Sequence, residues 1–294
     1  MNKIFNLLYY KYRSLVVTYV MYKFTSILKR RLSDTTKVKS DSGIKVTVPP
    51  IIVIGMHRSG TTLLARIMRI LGVKMGRIRG KDTDESLFFQ ALNKAIINAC
   101  HSEWDNLHGF REVYSQPTIQ SALTTSLLEV MQSGASTLHG QMKATIWGWK
   151  DPKNTVTLDL WKEVFPNAKI IFIYRNGVDV ANSLVNRSMK SLSLRTMQHQ
   201  HGFKLWKEYN MLAMAHYNAW DHEKRHLIKY EDLLQNPQSI ISDLVAFLEL
   251  NSDDTTIEKA CALPRSPSNK PKKTEQEISS EILNDELMIK WGYV

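Results

Sequence analysis

The chain has 294 residues, 43% hydrophobic and 23% charged, the balance of a folded protein with a sizeable core rather than a disordered one. Its net charge is +11, but residues 1–50 carry +8 of it, so the remainder is only mildly basic and no nucleic-acid partner is expected. Cys100 and Cys261 are the only cysteines, which excludes a disulfide framework and a zinc site and points to a reducing compartment.

The N-terminal arm mixes apolar residues with Lys11, Arg13 and Lys23, and its longest uncharged run, Ser14–Tyr22, spans nine residues. A membrane-spanning helix needs about 20 apolar residues, and the arm lacks the pattern of a signal peptide. It reads as a helix packed on the domain or on a partner. The alternative is peripheral membrane contact through residues 1–30. Arg30–Thr47 reads as a polar linker, which divides the chain into an arm (1–48) and a main domain (49–294).

Within the main domain, Ile51–Ile54, Lys169–Tyr174 and His226–Tyr230 are short apolar or β-branched runs that predict buried strands. After the first, Leu63, Leu64, Ile67, Met68 and Leu71 have helical spacing, and Gly72 can end the helix. After the third, Asn236-Pro237 predicts a helix start, followed by one apolar face of Ile240, Ile241, Leu244, Val245 and Leu248. No repeat of fixed period is found. This alternation predicts an α/β fold with a P-loop-like central parallel β-sheet flanked by helices on both faces. Ala262–Glu277 is basic and proline-rich and reads as a surface loop, with folding over a bound anion as the functional reading.

The stretch Gly55-Met-His-Arg-Ser-Gly-Thr-Thr62 joins the first strand to the first helix. A strand–Gly-x-x-x-x-Gly–helix unit aims backbone N–H groups and the positive end of a helix dipole at one point. Arg58 adds a forked cation, and Ser59, Thr61 and Thr62 add hydroxyl donors. A nucleoside-triphosphatase loop would end in Gly-Lys-[Ser/Thr], but here Thr61 stands in the lysine position. The loop is therefore built for an anion other than a magnesium-bound triphosphate.

This stretch resembles the 5′-phosphosulfate loop of sulfotransferases that use 3′-phosphoadenylyl sulfate (PAPS), above all the bacterial and tyrosylprotein-type branch with its Arg-Ser-Gly-Thr-Thr core. Three further segments match in the family's order. Trp147-Gly-Trp-Lys-Asp-Pro152 resembles the Lys-Asp-Pro motif. Ile171–Ser183 resembles the strand–Arg–helix–Ser element that binds the 3′-phosphate. Tyr230-Glu-Asp-Leu-Leu234 with Pro237 is similar to the Tyr-Glu-Asp-Leu segment. The match covers about residues 50–250, and Asn176-Gly177 departs from the commoner Asp-Pro.

The resemblance implies that the chain moves a sulfuryl group from PAPS to a hydroxyl or amine, with no metal. It assigns His57, Arg58, Ser59, Gly60, Thr61, Thr62, Arg175, Ser183, Arg187 and Tyr230 to PAPS. Independently of the family, Arg175 ends a strand at the carboxyl edge of the sheet, where ligands of α/β sheets bind. Ser183 and Arg187 lie four apart on one helix face.

Arg58 is placed to stabilise charge on the leaving group, the resemblance implies the same role for Lys150, and a hydroxyl acceptor needs a base. Candidates are Asp82, Asp84, Glu85, His57, His101 and His108, of which Glu85 is preferred by analogy with tyrosylprotein-type enzymes. The plain roles are helix capping for Glu85 or Asp84, a bridge to Asp151 for Lys150, and a surface cation meeting Asp179 or solvent for Arg187. The acceptor stays open among small molecules, carbohydrate, lipid and peptide; Trp104, Trp147, Trp149, Trp206 and Trp220 read as a stacking wall or, as is commoner for aromatics, as core. The Asn186-Arg-Ser188 sequon falls on the phosphate-binding helix and reads as chance, in keeping with a cytoplasmic protein. Rival readings are a P-loop kinase or ATPase and a non-enzymatic membrane-associated binding module. Oligomeric state is not legible.

Overall fold

A computed structural model describes residues 2–33, 48–76, 78–80, 83–133, 145–189, 196–264 and 284–294. Its elements are α1 (Asn2–Ser33), β1 (Ile51–Ile54), α2 (Thr61–Ile70), α3 (Leu87–Ala99), α4 (His108–Tyr114), α5 (Pro117–Gln132), β2 (Gly148–Lys150) and α6 (Asn154–Val164). They continue with β3 (Lys169–Tyr174), α7 (Gly177–Met189), α8 (His199–Ala219), β4 (Arg225–Lys229), α9 (Tyr230–Gln235), α10 (Pro237–Phe247), α11 (Asp254–Cys261) and α12 (Glu286–Lys290). The strands form a parallel sheet of order β2-β1-β3-β4 with helices on both faces, as the alternating pattern predicts.

The sheet order places β1 in the interior, which is why Ile51–Ile54 is apolar at every position and wholly buried. β2 pairs with β1 in parallel, with Ile51 opposite Gly148, Ile52 opposite Trp149 and Val53 opposite Lys150. The chain forms two compact units, Met1–Val53 with Gly72–Ile170, and Ile54–Leu71 with Ile171–Val294. Both β1 and β3 begin in the first unit and end in the second.

The first unit has an aromatic and polar interior. The Phe89 ring stacks on Trp149 at 3.8 Å, and Trp161 meets both rings edge-on. The buried Asn93 donates to Asp151 and Asn154 and accepts from Thr157 and Trp161. Asn154 in turn accepts from Trp149 Nε1 and donates to the Val53 carbonyl. This network satisfies the polar atoms that β2 and α6 carry inside.

α1 belongs to this unit, packing on α3 and α5 through Val16, Val20, Phe24, Ile27 and Leu28. Burying each such side chain is worth about 1.5–3 kcal/mol, more than the partly exposed Arg31–Glu129 ion pair at its end, for which about 1 kcal/mol is an upper figure. Arg30–Ser33 continue α1 and are not linker, because Arg30 and Arg31 both engage Glu129. The rest of the expected linker, 34–47, lies outside the described residues. No helix among the described residues is long and apolar enough to cross a membrane.

In the second unit α2 ends before Gly72, as expected, and α10 starts at Pro237 with Asn236 as N-cap. Ile241, Leu244 and Leu248 of its apolar face are buried. The third strand is shifted from the sequence expectation: it covers Arg225–Lys229, and Tyr230 opens α9. From residue 265 on, the basic proline-rich segment lies outside the described residues.

Candidate active site

In the second unit β1 runs out at Ile54 into a turn that three left-handed residues bend: Gly55 (φ +141°), Arg58 (φ +69°) and Gly60 (φ +93°). A Cβ on Gly55 would sit 2.3 Å from the Ile173 carbonyl oxygen of β3, and one on Gly60 would sit 2.3 Å from the Tyr230 ring. Glycine is therefore required at both positions for close approach as well as for backbone angle. Arg58 is different. A non-glycine residue held at positive φ costs on the order of 1–2 kcal/mol, and such strain concentrates at ligand-binding turns.

The loop delivers Thr61 and Thr62 to the first turn of α2, where Gly60 is the N-cap and no acidic residue follows. The positive end of this helix thus lies against the loop without a carboxylate of its own first turn. Ser59 is fully buried, and its Oγ has no hydrogen-bond partner among the described residues. A buried hydroxyl without a partner is expensive unless a ligand supplies one. His57 is half-buried, with its ring edge-on to Tyr209.

The predicted phosphate residues converge on this loop. Arg58 Nε donates to Ser183 Oγ at 2.8 Å. Arg175 donates to the Arg58 carbonyl at 3.2 Å, pairs with Asp179 at 3.3 Å, and lays its guanidinium over the Tyr230 ring at 4.7 Å. Tyr230 is thus held between Gly60 and Arg175. Arg187, exposed on the Ser183 face of α7, does not take the expected bridge to Asp179, which Arg175 occupies. Desolvation, then the charges of Arg187 and Arg175, pull the Arg58 pKa below its ordinary value. Three guanidinium groups near one turn call for an anion.

Residues that the sequence reading did not assign to PAPS hold this turn. Asn176 Oδ1 accepts from the Val178 and Asp179 amides and so caps α7, which explains how Asn-Gly replaces Asp-Pro. The Asn176 amide donates to Glu231 Oε1, and Tyr293 hydroxyl donates to Glu231 Oε2 at 2.8 Å. Trp206 Nε1 donates to the Arg175 carbonyl. Glu231 lies inside the Tyr-Glu-Asp-Leu segment and could have been found there; nothing in the local pattern marks Tyr293.

The first unit holds a separate group of predicted residues. Lys150, almost wholly buried at the end of β2, donates to the Thr83 carbonyl and to Glu85 Oε1 at 3.2 Å. Gln90 donates to the other oxygen of Glu85. Burial alone would raise the Glu85 pKa. The charges of Lys150 and Lys153 and the hydrogen bonds from Lys150 and Gln90 outweigh it and hold the carboxyl below its usual range. Asp84 faces Arg79 instead, at 3.6 Å.

The expected bridge from Lys150 to Asp151 is not made, since Asp151 pairs with Lys153 at 2.8 Å. Ser86, not either carboxylate, is the N-cap of α3. His101 and His108 are exposed, and Asp82 lies outside the described residues. The tryptophan wall is corrected: Trp147, Trp149 and Trp206 are wholly buried and Trp220 nearly so, filling cores rather than lining a pocket. Trp104 is half-buried. Among the described residues no cluster of His, Cys, Asp and Glu has the makings of a metal site.

A family model described as "Sulfotransferase family" matches residues 49–254, so the chain belongs to the sulfotransferase family. The chain is 25% identical over 260 residues to protein-tyrosine sulfotransferase A of Caenorhabditis elegans, covering 87% of this chain and 64% of that protein. It is 21% identical over 301 residues to protein-tyrosine sulfotransferase of Drosophila melanogaster, covering 94% of this chain and 57% of that protein. The chain thus spans less than two thirds of the length of either relative. Among solved structures, the sulfotransferase domain from the curacin biosynthetic pathway is 21% identical with a TM-score of 0.49, over 75% of this chain and 79% of that one.

Proposed function

We propose that this member of the sulfotransferase family moves a sulfuryl group from PAPS to a hydroxyl, or an amine, of an acceptor by in-line displacement. The observation that carries the reading is the buried, unpartnered Ser59 hydroxyl in a strained turn beside Arg58, Arg175 and Arg187. A ligand with phosphate at both ends relieves the orphaned donor and the crowded cations together. The absence of a loop lysine disfavours a triphosphate and its magnesium.

When bound, PAPS supplies a sulfuryl group on a phosphate leaving group. The loop amides, Arg58, Ser59, Thr61 and Thr62 bind the phosphosulfate end and balance charge as it grows. Arg175, Ser183 and Arg187 bind the 3′-phosphate, with Tyr230 fixing the Arg175 plane. Lys150, in the Trp-Gly-Trp-Lys-Asp-Pro segment that resembles the family's Lys-Asp-Pro motif, is assigned to the leaving oxygen. Glu85 is assigned the acceptor proton: its lowered pKa keeps it ionised at neutral pH, and Lys150 and Gln90 orient it.

The curated relatives are named as protein-tyrosine sulfotransferases, so a tyrosine hydroxyl is the first acceptor to try, ahead of carbohydrate, lipid and small alcohols. The unbridged thiols of Cys100 and Cys261 fit a cytoplasmic setting. The test is transfer of label from PAPS labelled in the sulfuryl group to tyrosyl peptides, glycans and alcohols, without metal. Label on one acceptor class, lost in Arg58→Ala, supports the reading. Label that never leaves PAPS under any acceptor, with no binding of the nucleotide, contradicts it.

A further inference from the structure

The inner side of α1 is consumed by packing, yet its outer side is also apolar. Tyr12, Leu15, Tyr19 and Tyr22 are 51%, 61%, 49% and 72% exposed and follow one another at spacings of three, four and three. That spacing aligns them in a single stripe along the helix. Surfaces that only meet water rarely carry such a row. Between Asn2 and Ser33 the sequence has seven Lys or Arg and no Asp or Glu. Lys11 and Lys29 are exposed, and the Lys23 ammonium lies 5.8 Å from the centre of the Tyr19 ring.

We propose that the Tyr12–Leu15–Tyr19–Tyr22 stripe of α1 docks on an anionic lipid surface, with the helix lying flat. Charge decides between occupants. A second copy would set one wholly basic helix beside another, and like charges repel. An anionic bilayer attracts the same lysines, accepts tyrosine rings at the depth of its headgroups, and takes the Leu15 side chain below them. Lysine stems can lie along the apolar boundary while their ammonium groups reach the phosphates. Because Val16, Val20, Phe24, Ile27 and Leu28 pin α1 to α3 and α5, the stripe is presented on a fixed helix and need not fold on contact. This inference is independent of the proposed activity.

The test is flotation of the full chain with phosphatidylcholine vesicles, with and without about 30% phosphatidylserine. The expected result is binding only to the anionic vesicles, weakened about tenfold or more in high salt, where charges are screened. The variant Tyr12→Ser/Leu15→Ser/Tyr19→Ser/Tyr22→Ser should lose binding with an unchanged unfolding midpoint, since these side chains leave the core untouched. Lys11→Gln/Lys29→Gln, which keeps the stripe, should weaken binding severalfold. No flotation with either vesicle overturns the proposal, as does equal flotation with both. A stripe-dependent dimer in light scattering would overturn it in favour of a second copy. Binding to polyglutamate without binding to vesicles would overturn it in favour of an acidic protein.

Discussion

Arg58 Nε donates to Ser183 Oγ at 2.8 Å, which ties the anion loop after β1 to the face of α7 that also carries Arg187. Residues expected at the 5′ and 3′ phosphate ends of one nucleotide are thereby coupled in the protein itself. Ser183→Ala should leave Arg58 without its acceptor and weaken binding of 3′-phosphoadenosine 5′-phosphate (PAP) by about tenfold, the worth of one charge-assisted hydrogen bond. Calorimetry on both proteins checks this. An unchanged affinity would mean that the bond organises neither group.

Gly60→Ala places a Cβ 2.3 Å from the Tyr230 ring at a backbone φ of +93°. Both the overlap and the angle oppose it. A loss of about 1–3 kcal/mol in stability is expected, with PAP binding abolished because Tyr230 can no longer support Arg175. Urea denaturation and calorimetry measure the two effects separately.

Tyr293 lies near the end of the chain, yet its hydroxyl holds Glu231, whose other oxygen holds the amide that follows Arg175. Tyr293→Phe should cost about 1 kcal/mol and raise the PAP dissociation constant severalfold. Burial, then the charge and hydrogen bond of Glu231, push the Tyr293 pKa well above the usual phenol value, so no titration of this contact is expected below pH 10. Affinity that is unchanged in Tyr293→Phe would remove the C-terminal residues from the site.

Glu85 and Lys150 form a buried pair, and breaking it from one side should be worse than replacing both. Lys150→Ala leaves a buried carboxylate uncompensated and should cost about 3–5 kcal/mol, whereas Glu85→Gln/Lys150→Met should cost less. The folded pKa of Glu85 is depressed, so its stabilising contribution is complete above the unfolded value of about 4.3 and fades as pH falls through the lower folded value. The double variant should lose that acid-range slope. If Glu85 is the base, the acid limb of kcat/KM lies below the ordinary carboxylate range. A limb near pH 6–7, as expected for a desolvated unpaired Glu, would contradict the assignment.

The β1–loop–α2 unit was legible because its parts are contiguous: an apolar run, two glycines and a 3.6-residue repeat. The sheet and its flanking helices followed from the same alternation. β2 was not legible, since three residues containing a glycine show no strand period, and only pairing with β1 makes them a strand. The partners of the charged residues were hidden for a related reason. Lys150 meets Glu85 across 65 positions and Arg58 meets Ser183 across 125. Local spacing instead suggested neighbours, Asp151 for Lys150 and Asp179 for Arg187, and both of those carboxylates pair with other cations. The tryptophans read as either wall or core, and only burial separates the two.

The most direct measurement is calorimetric titration with PAP in the absence of magnesium, beside ATP with magnesium and beside the Arg175→Ala protein. The account predicts micromolar binding of PAP that requires its 3′-phosphate and is lost in the variant. Tighter binding of ATP with magnesium, indifferent to Arg175→Ala, would contradict it.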